Sequence, residues 1–469
     1  MKKLGTIFMA LVLALGSFAM PGKAIAGDVV TSDDSKVTIS GEIRFRGEFN
    51  HNLFDQRKDS DWVSNYPVDD HNSYYDTRVR LQVDTKVAEG VTGRIQLETV
   101  PSSGNVGSDA FVWGEPDSDN GAKGIFRQGN TKRGFLAVRE AWIDYKKDMF
   151  GATVGHMPLA LGNKLFFDHT KFGDDAIVLT VKPAKEITAN LLTIKLTEGP
   201  ATVYPDGWVP TGSEGSYNSP NDTDVYTAVF AYKGGTFNIS SDLSYVNSQN
   251  GGYVVGVDAM HLWNFGLRGD VTISSFTIRG DVEKQFGTAV IDGSTDDLRF
   301  TGYAGLLGLD YKIADTKITL EGAYGSGDDE PTDNRISTFV TALGADQHYT
   351  FVYDYKGWGS TGVCTGLANT NYIKFGADTR FAKDFGAQAY MYWLHASKEV
   401  AINTFMDGLP TEPSRQLGWE LDGKVSYNIA KNLTYWVEGG YMWTGKAYDW
   451  SDGHADNMYA VRHGLQLNF

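Results

Sequence analysis

The sequence predicts an all-β fold, a transmembrane antiparallel β-barrel of about 18 strands with short periplasmic turns and long extracellular loops. Three observations support this prediction. Segments with strict two-residue alternation recur along the chain, and short turns separate them in pairs. The composition also combines 13% aromatic residues and 54 glycines with a mean hydropathy of only −0.29. A barrel wall explains this mixture, because half of each strand faces a polar interior.

The clearest strand covers residues 37–50, where an apolar face alternates with a charged one. The first face carries Val37, Ile39, Gly41, Ile43, Phe45, Gly47 and Phe49. The second carries Thr38, Ser40, Glu42, Arg44, Arg46, Glu48 and Asn50. So many charges must meet water, because unpaired ions are costly in a dry core. We therefore expect the apolar face to meet lipid.

The same alternation recurs in the next two strands and in the last one. The polar face of the second and third strands carries Asp76, Arg78, Arg80, Asp84, Arg94 and Glu98. In the last strand, Tyr459, Val461, Leu465, Leu467 and Phe469 share the apolar face, whereas Arg462 and Gly464 lie on the polar face. His463 is the one exception on the apolar side.

Eight short turns between alternating segments set the strand count. They lie at Ala88-Glu89-Gly90, Lys147-Asp148, Pro183-Ala184-Lys185, Gly234-Gly235, Ser274-Ser275, Ala314-Asp315, Lys383-Asp384 and Ala430-Lys431-Asn432. Long polar loops are predicted at 51–74, 101–133, 198–223, 287–298, 327–370 and 398–415. With both ends of the barrel on the turn side, eight turns require about 18 strands. A barrel of this width encloses an aqueous lumen unless loops fill it.

Two segments break the alternation. From residue 134 to 146, either register sends Arg139, or both Glu140 and Asp144, toward lipid. We expect a β-bulge or a shielded wall there. The pair Leu191-Leu192 is the second interruption.

The amino-terminal residues predict export across an inner membrane. Met1-Lys2-Lys3 is a basic start, an apolar stretch follows, and Ala24-Ile25-Ala26 is a small-x-small cleavage site. We expect residues 1–26 to be a cleaved signal peptide, residues 27–36 a short periplasmic segment, and residues 37–469 a single barrel domain. Removal of Lys2, Lys3 and Lys23 would take the formal charge from −16 to −19.

Composition and motifs favour no cofactor, metal or catalytic centre. The acidic balance argues against nucleic acid and anionic lipid as partners. The single cysteine, Cys364, excludes an internal disulfide framework and a CxxCH haem motif. Residues 117–121 resemble the start of a calcium loop but lack its distant glutamate. Barrel hydrolases need a nucleophile beside a histidine, and His51, His71, His169, His348 and His454 are scattered over loops and rims. The chain is therefore not expected to be an enzyme.

The carboxyl terminus resembles a known insertion signal. The pattern Arg462-x-Gly464-x-x-Leu467-x-Phe469 is similar to the signal by which outer-membrane β-barrels are recognised for insertion. The resemblance implies a bacterial outer-membrane location, with outer-membrane lipids and the barrel-assembly machinery as partners. It assigns Gly464, Leu467 and Phe469 to the signal.

Two further stretches resemble the alginate-export-type family of outer-membrane porins. The first comprises residues 138–145, 154–157 and 161–163, and the second comprises residues 417–422, 432–433 and 439–445. In the first stretch, His156 and Met157 replace the usual Arg-Gln, and Asn163 stands in place of an aspartate. The resemblance implies an 18-stranded channel. It does not carry alginate as a substrate, because these departures fall in an identifying motif.

The predicted lumen face carries both signs of charge. Its arginines are Arg44, Arg46, Arg78, Arg80, Arg94, Arg268, Arg279, Arg380 and Arg462. Its principal acids are Glu42, Glu48, Asp76, Asp84, Glu98, Glu420, Asp422 and Glu438. Five of these arginines lie on the first three strands, and closure of the barrel would bring Arg462 beside Arg44 and Arg46, so that the six form a basic wall. This wall could attract anionic solutes, or each arginine could pair with a neighbouring acid.

These observations predict a porin for passive diffusion of small hydrophilic solutes, anionic ones being an open option. The 101–133 loop or the 327–370 loop is expected to narrow its lumen. Two alternatives remain at this point: a dedicated exporter of an acidic, alginate-like polysaccharide, and a structural barrel that sheathes a partner protein. A homo-oligomer is also left open.

Overall fold

The computed structural model describes residues 27–32, 35–53, 71–100, 110–113, 135–197, 222–249, 257–291, 296–330, 332–341, 343–344, 349–354, 366–402, 412–450 and 453–469. The predicted signal peptide, Cys364 and residues 117–121 lie outside these ranges. Among the described residues, no helix has the length and apolar character needed to cross a membrane.

Eighteen strands form the wall of the structure. They are β1 (Ser35–His51), β2 (His71–Ala88), β3 (Val91–Val100), β4 (Phe135–Lys147), β5 (Phe150–Met157), β6 (Asp174–Val181), β7 (Ile187–Thr197), β8 (Thr223–Lys233), β9 (Phe237–Ser248), β10 (Ala259–Ile273), β11 (Phe276–Val290), β12 (Tyr303–Ile313), β13 (Thr316–Gly325), β14 (Thr370–Ala382), β15 (Phe385–Val400), β16 (Ser414–Ala430), β17 (Leu433–Thr444) and β18 (Met458–Asn468). Each strand pairs antiparallel with the next in sequence.

The first and last strands close the barrel. β1 pairs with β18 from Glu42 opposite Asn468 to His51 opposite Tyr459. The chain end completes the seam, since the amide of Gly41 donates to the carbonyl of Phe469 at 2.7 Å and the amide of Phe469 donates to the carbonyl of Gly41 at 3.0 Å. Closure leaves no exposed sheet edge along the wall. The predicted closed barrel of about 18 strands is confirmed.

Within the described ranges, several short strands and one 3-10 helix lie outside the eighteen wall strands. Gly27–Ser32 pairs antiparallel with the start of β1, Phe111–Val112 pairs with β2, and Leu298–Phe300 pairs with β11. Arg335–Ile336 runs parallel to Leu298–Phe300, and Lys446–Tyr448 is a 3-10 helix. The segment 27–36 is expected to be a short periplasmic segment. In the structure its residues Gly27–Ser32 form a strand.

All eight predicted short turns are present on one end of the barrel. The tightest of them require left-handed backbone conformations, with φ of 51° at Asp148, 57° at Ser274, 50° at Ala314 and 64° at Asn432. Two-residue hairpins adopt this geometry because it matches the twist of the flanking strands. The strand ends from which the long connections leave lie at the opposite end of the barrel.

The expected β-bulge occurs at Arg139. Gln96 of β3 pairs with Glu140, and the next residue, Leu97, pairs with Val138, so Arg139 is the extra residue. The bulge sends both Arg139 and Glu140 away from the exposed Val138 and Ile143. The second interruption has another cause. Leu191 is 60% exposed on the outer face, whereas Leu192 packs against a hydrophobic core inside the barrel.

Aromatic side chains form two belts on the outer face. On the loop side, Trp263 stacks between Tyr245 at 4.6 Å and Phe286 at 6.1 Å. On the turn side, Phe276 stacks on Tyr311 at 4.6 Å. Ten residues of β11 separate Phe276 from Phe286, a rise of about 25 Å for a tilted strand. This is the height of the apolar band that outer-membrane barrels present to lipid.

His463 keeps its place on the outer face of β18 through aromatic packing. Its ring lies against Gly47, where an added Cβ would come within 2.5 Å of Nε2. Tyr75 meets the imidazole edge-on at 6.0 Å, and the Tyr435 hydroxyl lies 3.4 Å from Nδ1. The two aromatic residues thus cover a polar ring that would otherwise face lipid.

Candidate channel lumen

The predicted basic wall lies on the inner face of β18 and β1–β3. Arg44 and Arg78 are 8% and 9% exposed, whereas the alternating outer residues Ile39 and Phe45 are 39% and 42% exposed. The inner face is polar because alternate side chains of each strand point to opposite sides. Closure by β18 brings Arg462 opposite Glu48 of β1, so the sixth arginine joins the same wall.

Every arginine of this wall contacts a carboxylate on its own or a neighbouring strand. The Arg78 guanidinium lies 2.6 Å from Glu42, that of Arg46 lies 2.5 Å from Asp76, and Arg94 donates to Asp84 at 2.7 Å. Arg80 pairs with Glu98, Arg462 pairs with Glu438, and Arg44 approaches Asp76 at 3.8 Å. Of the two readings of the wall, neighbour pairing is the one that this geometry favours. The wall is therefore a charge-balanced network of ion pairs on β18 and β1–β3, which we call the arginine lattice.

Two residues that sequence reasoning left unassigned extend the lattice. Arg139 donates a hydrogen bond to the Glu140 carboxylate at 2.7 Å, and Arg94 donates one to the same carboxylate at 3.4 Å. The bulge makes this possible, since it turns two consecutive residues to the same face. The failed alternation at 134–146 was the available signal.

Arg268 sits in a separate buried cluster on β9–β11. Its guanidinium lies 2.5 Å from Asp242, 3.4 Å from Asp281 and 2.9 Å from Glu283. All four side chains are at most 4% exposed. Gly162 packs directly on the guanidinium, since a Cβ there would lie 2.0 Å from Nε. Arg268 is therefore covered rather than presented to solutes.

The two remaining predicted arginines differ in setting. Arg279 pairs with Asp310 and Glu321 on the inner face of β11–β13. Arg380 is exposed beside the turn that connects β14 and β15, and its backbone amide donates to Asp315 at 3.1 Å. Arg380 thus lies at the rim of the barrel.

One loop connection folds into the barrel between β5 and β6. We call residues 158–173 loop A. Its apolar residues Leu161, Leu165, Phe166 and Phe167 are at most 6% exposed and join the internal hydrophobic core. Arg139 anchors the loop, donating to the carbonyls of Thr170 at 2.7 Å and Lys171 at 3.1 Å.

A second connection, between β13 and β14, also enters the barrel. Of its described residues, we call 332–341, 343–344, 349–354 and 366–369 loop B. Glu420 of β16 accepts the backbone amides of Val352 and Tyr353, the latter at 2.9 Å. Asp422 accepts the amide of Phe351 at 2.9 Å. Two wall carboxylates therefore clamp three consecutive loop amides.

Loop B makes further contacts with the wall. Gln285 of β11 exchanges two hydrogen bonds with the backbone of Val340, at 2.9 and 2.8 Å. The Phe351 ring lies 4.8 Å from the Arg462 guanidinium, a cation–π contact with the basic wall. These contacts hold loop B against both sides of the lumen.

The two loops meet inside the barrel. The amide of Asp168 in loop A donates to the carbonyl of Leu343 in loop B at 2.8 Å, and Gly344 lies against the carbonyls of Lys164 and Phe166. Their strand pairs, β5–β6 and β13–β14, are eight strands apart in a ring of eighteen and so nearly opposite. The loops together form a bridge across the lumen.

These positions refine the sequence-based expectations. Of the described part of the 327–370 loop, residues 339–341, 343–344, 349–354 and 366–369 lie inside the barrel, as expected for a constriction, whereas Asp329 and Arg335 are exposed. The described part of the 101–133 loop, residues 110–113, instead continues the wall, where Trp113 stacks on Tyr75 at 5.4 Å. Glu420 and Asp422 hold loop B and are not open counterparts of the basic wall. Sequence reasoning missed loop A, although the apolar run Leu165-Phe166-Phe167 in a polar connection was a usable signal.

One buried carboxyl lies within loop B itself. Asp354 accepts the amides of Tyr349 at 3.1 Å and Gly366 at 2.8 Å. Burial, with Glu420 nearby, raises the pKa of Asp354 to about 7. No group of three or more histidine, cysteine or acidic side chains in the described part of the chain is arranged to hold a metal ion.

The chain is similar to one protein family in sequence and to several solved structures in fold. A model of the alginate export family matches residues 232–462. Similar solved structures include OccK11 (OpdR) of Pseudomonas aeruginosa, with 9% identity, TM-score 0.53 and coverage of 93% of this chain and 96% of that chain. OccAB1 of Acinetobacter baumannii has 10% identity, TM-score 0.54 and coverage of 92% and 96%.

A third similar structure is OccK2 (OpdF) of Pseudomonas aeruginosa in complex with glucuronate, with 9% identity, TM-score 0.53 and coverage of 92% and 98%. No curated protein matches the sequence. At these identities the structural likeness shows the fold alone. The chain is thus an 18-stranded antiparallel β-barrel with the fold of these structures, and it resembles the alginate-export family over residues 232–462.

Proposed function

We propose that this protein is an outer-membrane channel through which small hydrophilic solutes, including anionic ones, diffuse passively. The observation that carries the proposal is the charged inner face of a closed 18-stranded barrel whose outer face is apolar and belted by aromatic residues. The bridge formed by loops A and B narrows the path. The proposal includes no catalytic step.

The pairing of charges on the lumen wall indicates which solute groups the wall can bind. The lattice of β18 and β1–β3 holds guanidinium groups beside carboxylates, so it offers a solute both hydrogen-bond donors and acceptors without a large net charge. Guanidinium groups keep their charge at all relevant pH values and bind carboxylates with paired donors. A similar structure, OccK2, was solved with glucuronate, which supports the inclusion of small organic anions.

Planar-bilayer recordings test the proposal. Purified, folded protein is expected to give discrete conductance steps, and the reversal potential in a KCl gradient should be close to zero because the lattice is balanced. Glucuronate added to one side should carry measurable current. Folded protein that gives no conductance would refute the channel.

Export of an acidic polysaccharide is a second candidate, which the alginate-export family match favours. A polymer would have to displace the bridge between Asp168 and Leu343. Conductance blocked by micromolar alginate oligomers, but not by glucuronate, would favour export. Equal insensitivity to both would favour general diffusion.

A further inference from the structure

We propose that the outer wall of β4–β7 binds an anionic phospholipid, with an acyl chain in an apolar groove and the headgroup phosphate on lysines of the turns below. The inference rests on the proposed membrane location of the barrel. It is independent of what crosses the lumen.

The groove has a volume of about 550 Å³ and lies on the face of the wall that meets lipid. Its floor is formed by the small side chains Ala152 and Ala189, and larger side chains stand around it. These are Tyr145, Phe150, Leu179 and Leu191, between 47% and 61% exposed. The volume falls in the range of about 300–1,000 Å³ typical of small-molecule sites.

Strand register explains the depression. Ala152 lies between Tyr145 on β4 and Leu179 on β6, and Leu179 in turn faces Leu191 on β7. Each alanine therefore has a large apolar neighbour across the ladder. Such a channel between ridges suits a flexible hydrocarbon chain better than a rigid ring.

The turns that end these strands are rich in lysine. The turn between β4 and β5 is flanked by Lys146 and Lys147, and the connection between β6 and β7 carries Lys182 and Lys185, against only Asp148 and Glu186. Lys147 shares the outward face with Tyr145 and pairs with Phe150 at the lower end of the groove. The basic turns therefore lie directly beneath the apolar site.

Backbone contacts hold the two turns side by side. The Lys182 amide donates to the Met149 carbonyl at 2.7 Å. Partial burial, and then the neighbouring charge of Lys146, lower the pKa of Lys182. Lys146 is itself paired with Asp144 at 2.6 Å, so the proposal assigns the phosphate to Lys147 and Lys185. By contrast, the turn Ser274-Ser275 on β10–β11 carries no charge.

Charge complementarity selects the occupant, because this rim is locally basic although the acidic charge of the whole chain argues against anionic lipid. A second copy that covered the groove by two-fold symmetry would bring two lysine-rich rims together, which like-charge repulsion opposes. An amphiphile with an anionic phosphate can place its acyl chain in the apolar groove and its phosphate on the lysines of the rim. Each lysine near a membrane surface contributes about 1 kcal/mol to attraction of anionic lipid, about a fivefold change in binding.

Native mass spectrometry of the full chain in detergent tests the proposal. Phosphatidylglycerol is expected to remain bound at one molecule per barrel, whereas phosphatidylcholine with the same acyl chains should dissociate. The double variant Lys147→Gln/Lys185→Gln should lower phosphatidylglycerol retention at least about tenfold. Ala152→Phe, which fills the groove, should lower it as well. Matched controls are Lys383→Gln/Lys431→Gln on other turns and Ala389→Phe on the outer face of β15, which should retain the lipid.

The outcomes separate the alternatives. Equal retention of the two lipids, or unchanged retention in both groove and lysine variants, overturns the proposal. A lipid-independent dimer or trimer that Ala152→Phe dissociates also overturns it, in favour of a second copy. Heat-modifiable gel migration verifies that each variant is folded. Bilayer conductance of the same samples tests the channel separately, so failure of one proposal is distinguishable from failure of the other.

Discussion

At the scale of the residue, the lumen is governed by pairing of buried charges. An ionised side chain inside a barrel loses much of its hydration and is stabilised only by a close partner and further hydrogen bonds. Arg268 shows the extreme case, with three carboxylates around one guanidinium. Cross-strand pairs of this kind depend on exact register, which a single sequence leaves undetermined.

Arg139 provides a test of this view. Arg139→Ala removes hydrogen bonds to Gln96, Glu140, Thr170 and Lys171. Hydrogen bonds to charged groups contribute about 1.5–3 kcal/mol each, so docking of loop A should weaken by about 3 kcal/mol. Trypsin should then cleave within loop A of the folded barrel, and mass spectrometry of the fragments would locate the cut.

The matched control is Arg380→Ala, since this arginine is exposed at the rim. It should leave the cleavage pattern of the parent protein unchanged. Resistance of loop A in the Arg139 variant would show that the internal core alone holds the loop.

At the scale of the element, the strands and turns could be predicted because they obey local rules. Two-residue alternation fixed the inner and outer faces of β1 and β18, and turn residues fixed all eight hairpins. The bulge at Arg139 could be anticipated because the alternation failed there. The apolar run in loop A signalled burial, but the place where the loop packs could not be predicted, because its partners Leu343 and Arg268 are distant in sequence.

Loop B should respond to pH through Asp354. Its pKa is raised to about 7 in the docked loop, above the ordinary value of about 3.9, because burial removes water from its carboxyl and Glu420 lies nearby, which together outweigh the amide donors of Tyr349 and Gly366. The docked loop thus binds the proton more tightly than the released loop. Docking is fully stabilised below about pH 4 and weakens, by up to about tenfold per pH unit, as the pH rises through about 7.

The expected result is a larger open fraction in bilayer recordings at about pH 8 than at about pH 5. Asp354→Asn should flatten this dependence, because the amide does not titrate in that range. Other charged groups near the clamp, Glu420, Asp422 and Lys374, remain in the variant and serve as an internal control. An unchanged pH profile in Asp354→Asn would assign the dependence to them.

At the scale of the whole molecule, the wall and the bridge are separable structures. The wall is a closed ladder of backbone hydrogen bonds with an apolar exterior, whereas the bridge is an internal core formed by loops from nearly opposite strands. β13 and β14 pair directly from Thr316 opposite Thr379 to Tyr324 opposite Asn371, without help from loop B. The barrel should therefore survive loss of the loop.

Replacing residues 332–366 by a short Gly-Ser linker tests this separation. The variant should still show heat-modifiable migration, because strand pairing and the lipid-facing surface are untouched. Its single-channel conductance should rise several-fold, since the clamp at Glu420 and Asp422 and the contact of Leu343 with Asp168 are all lost. A deletion of residues 199–221, in the connection of β7 and β8, is the length control and should leave conductance near that of the parent. If the loop B deletion instead abolished folding, we would conclude that the wall needs the internal hydrophobic core in order to close. If it folded with unchanged conductance, the solute path would have to run outside the bridge, along the arginine lattice of β18 and β1–β3.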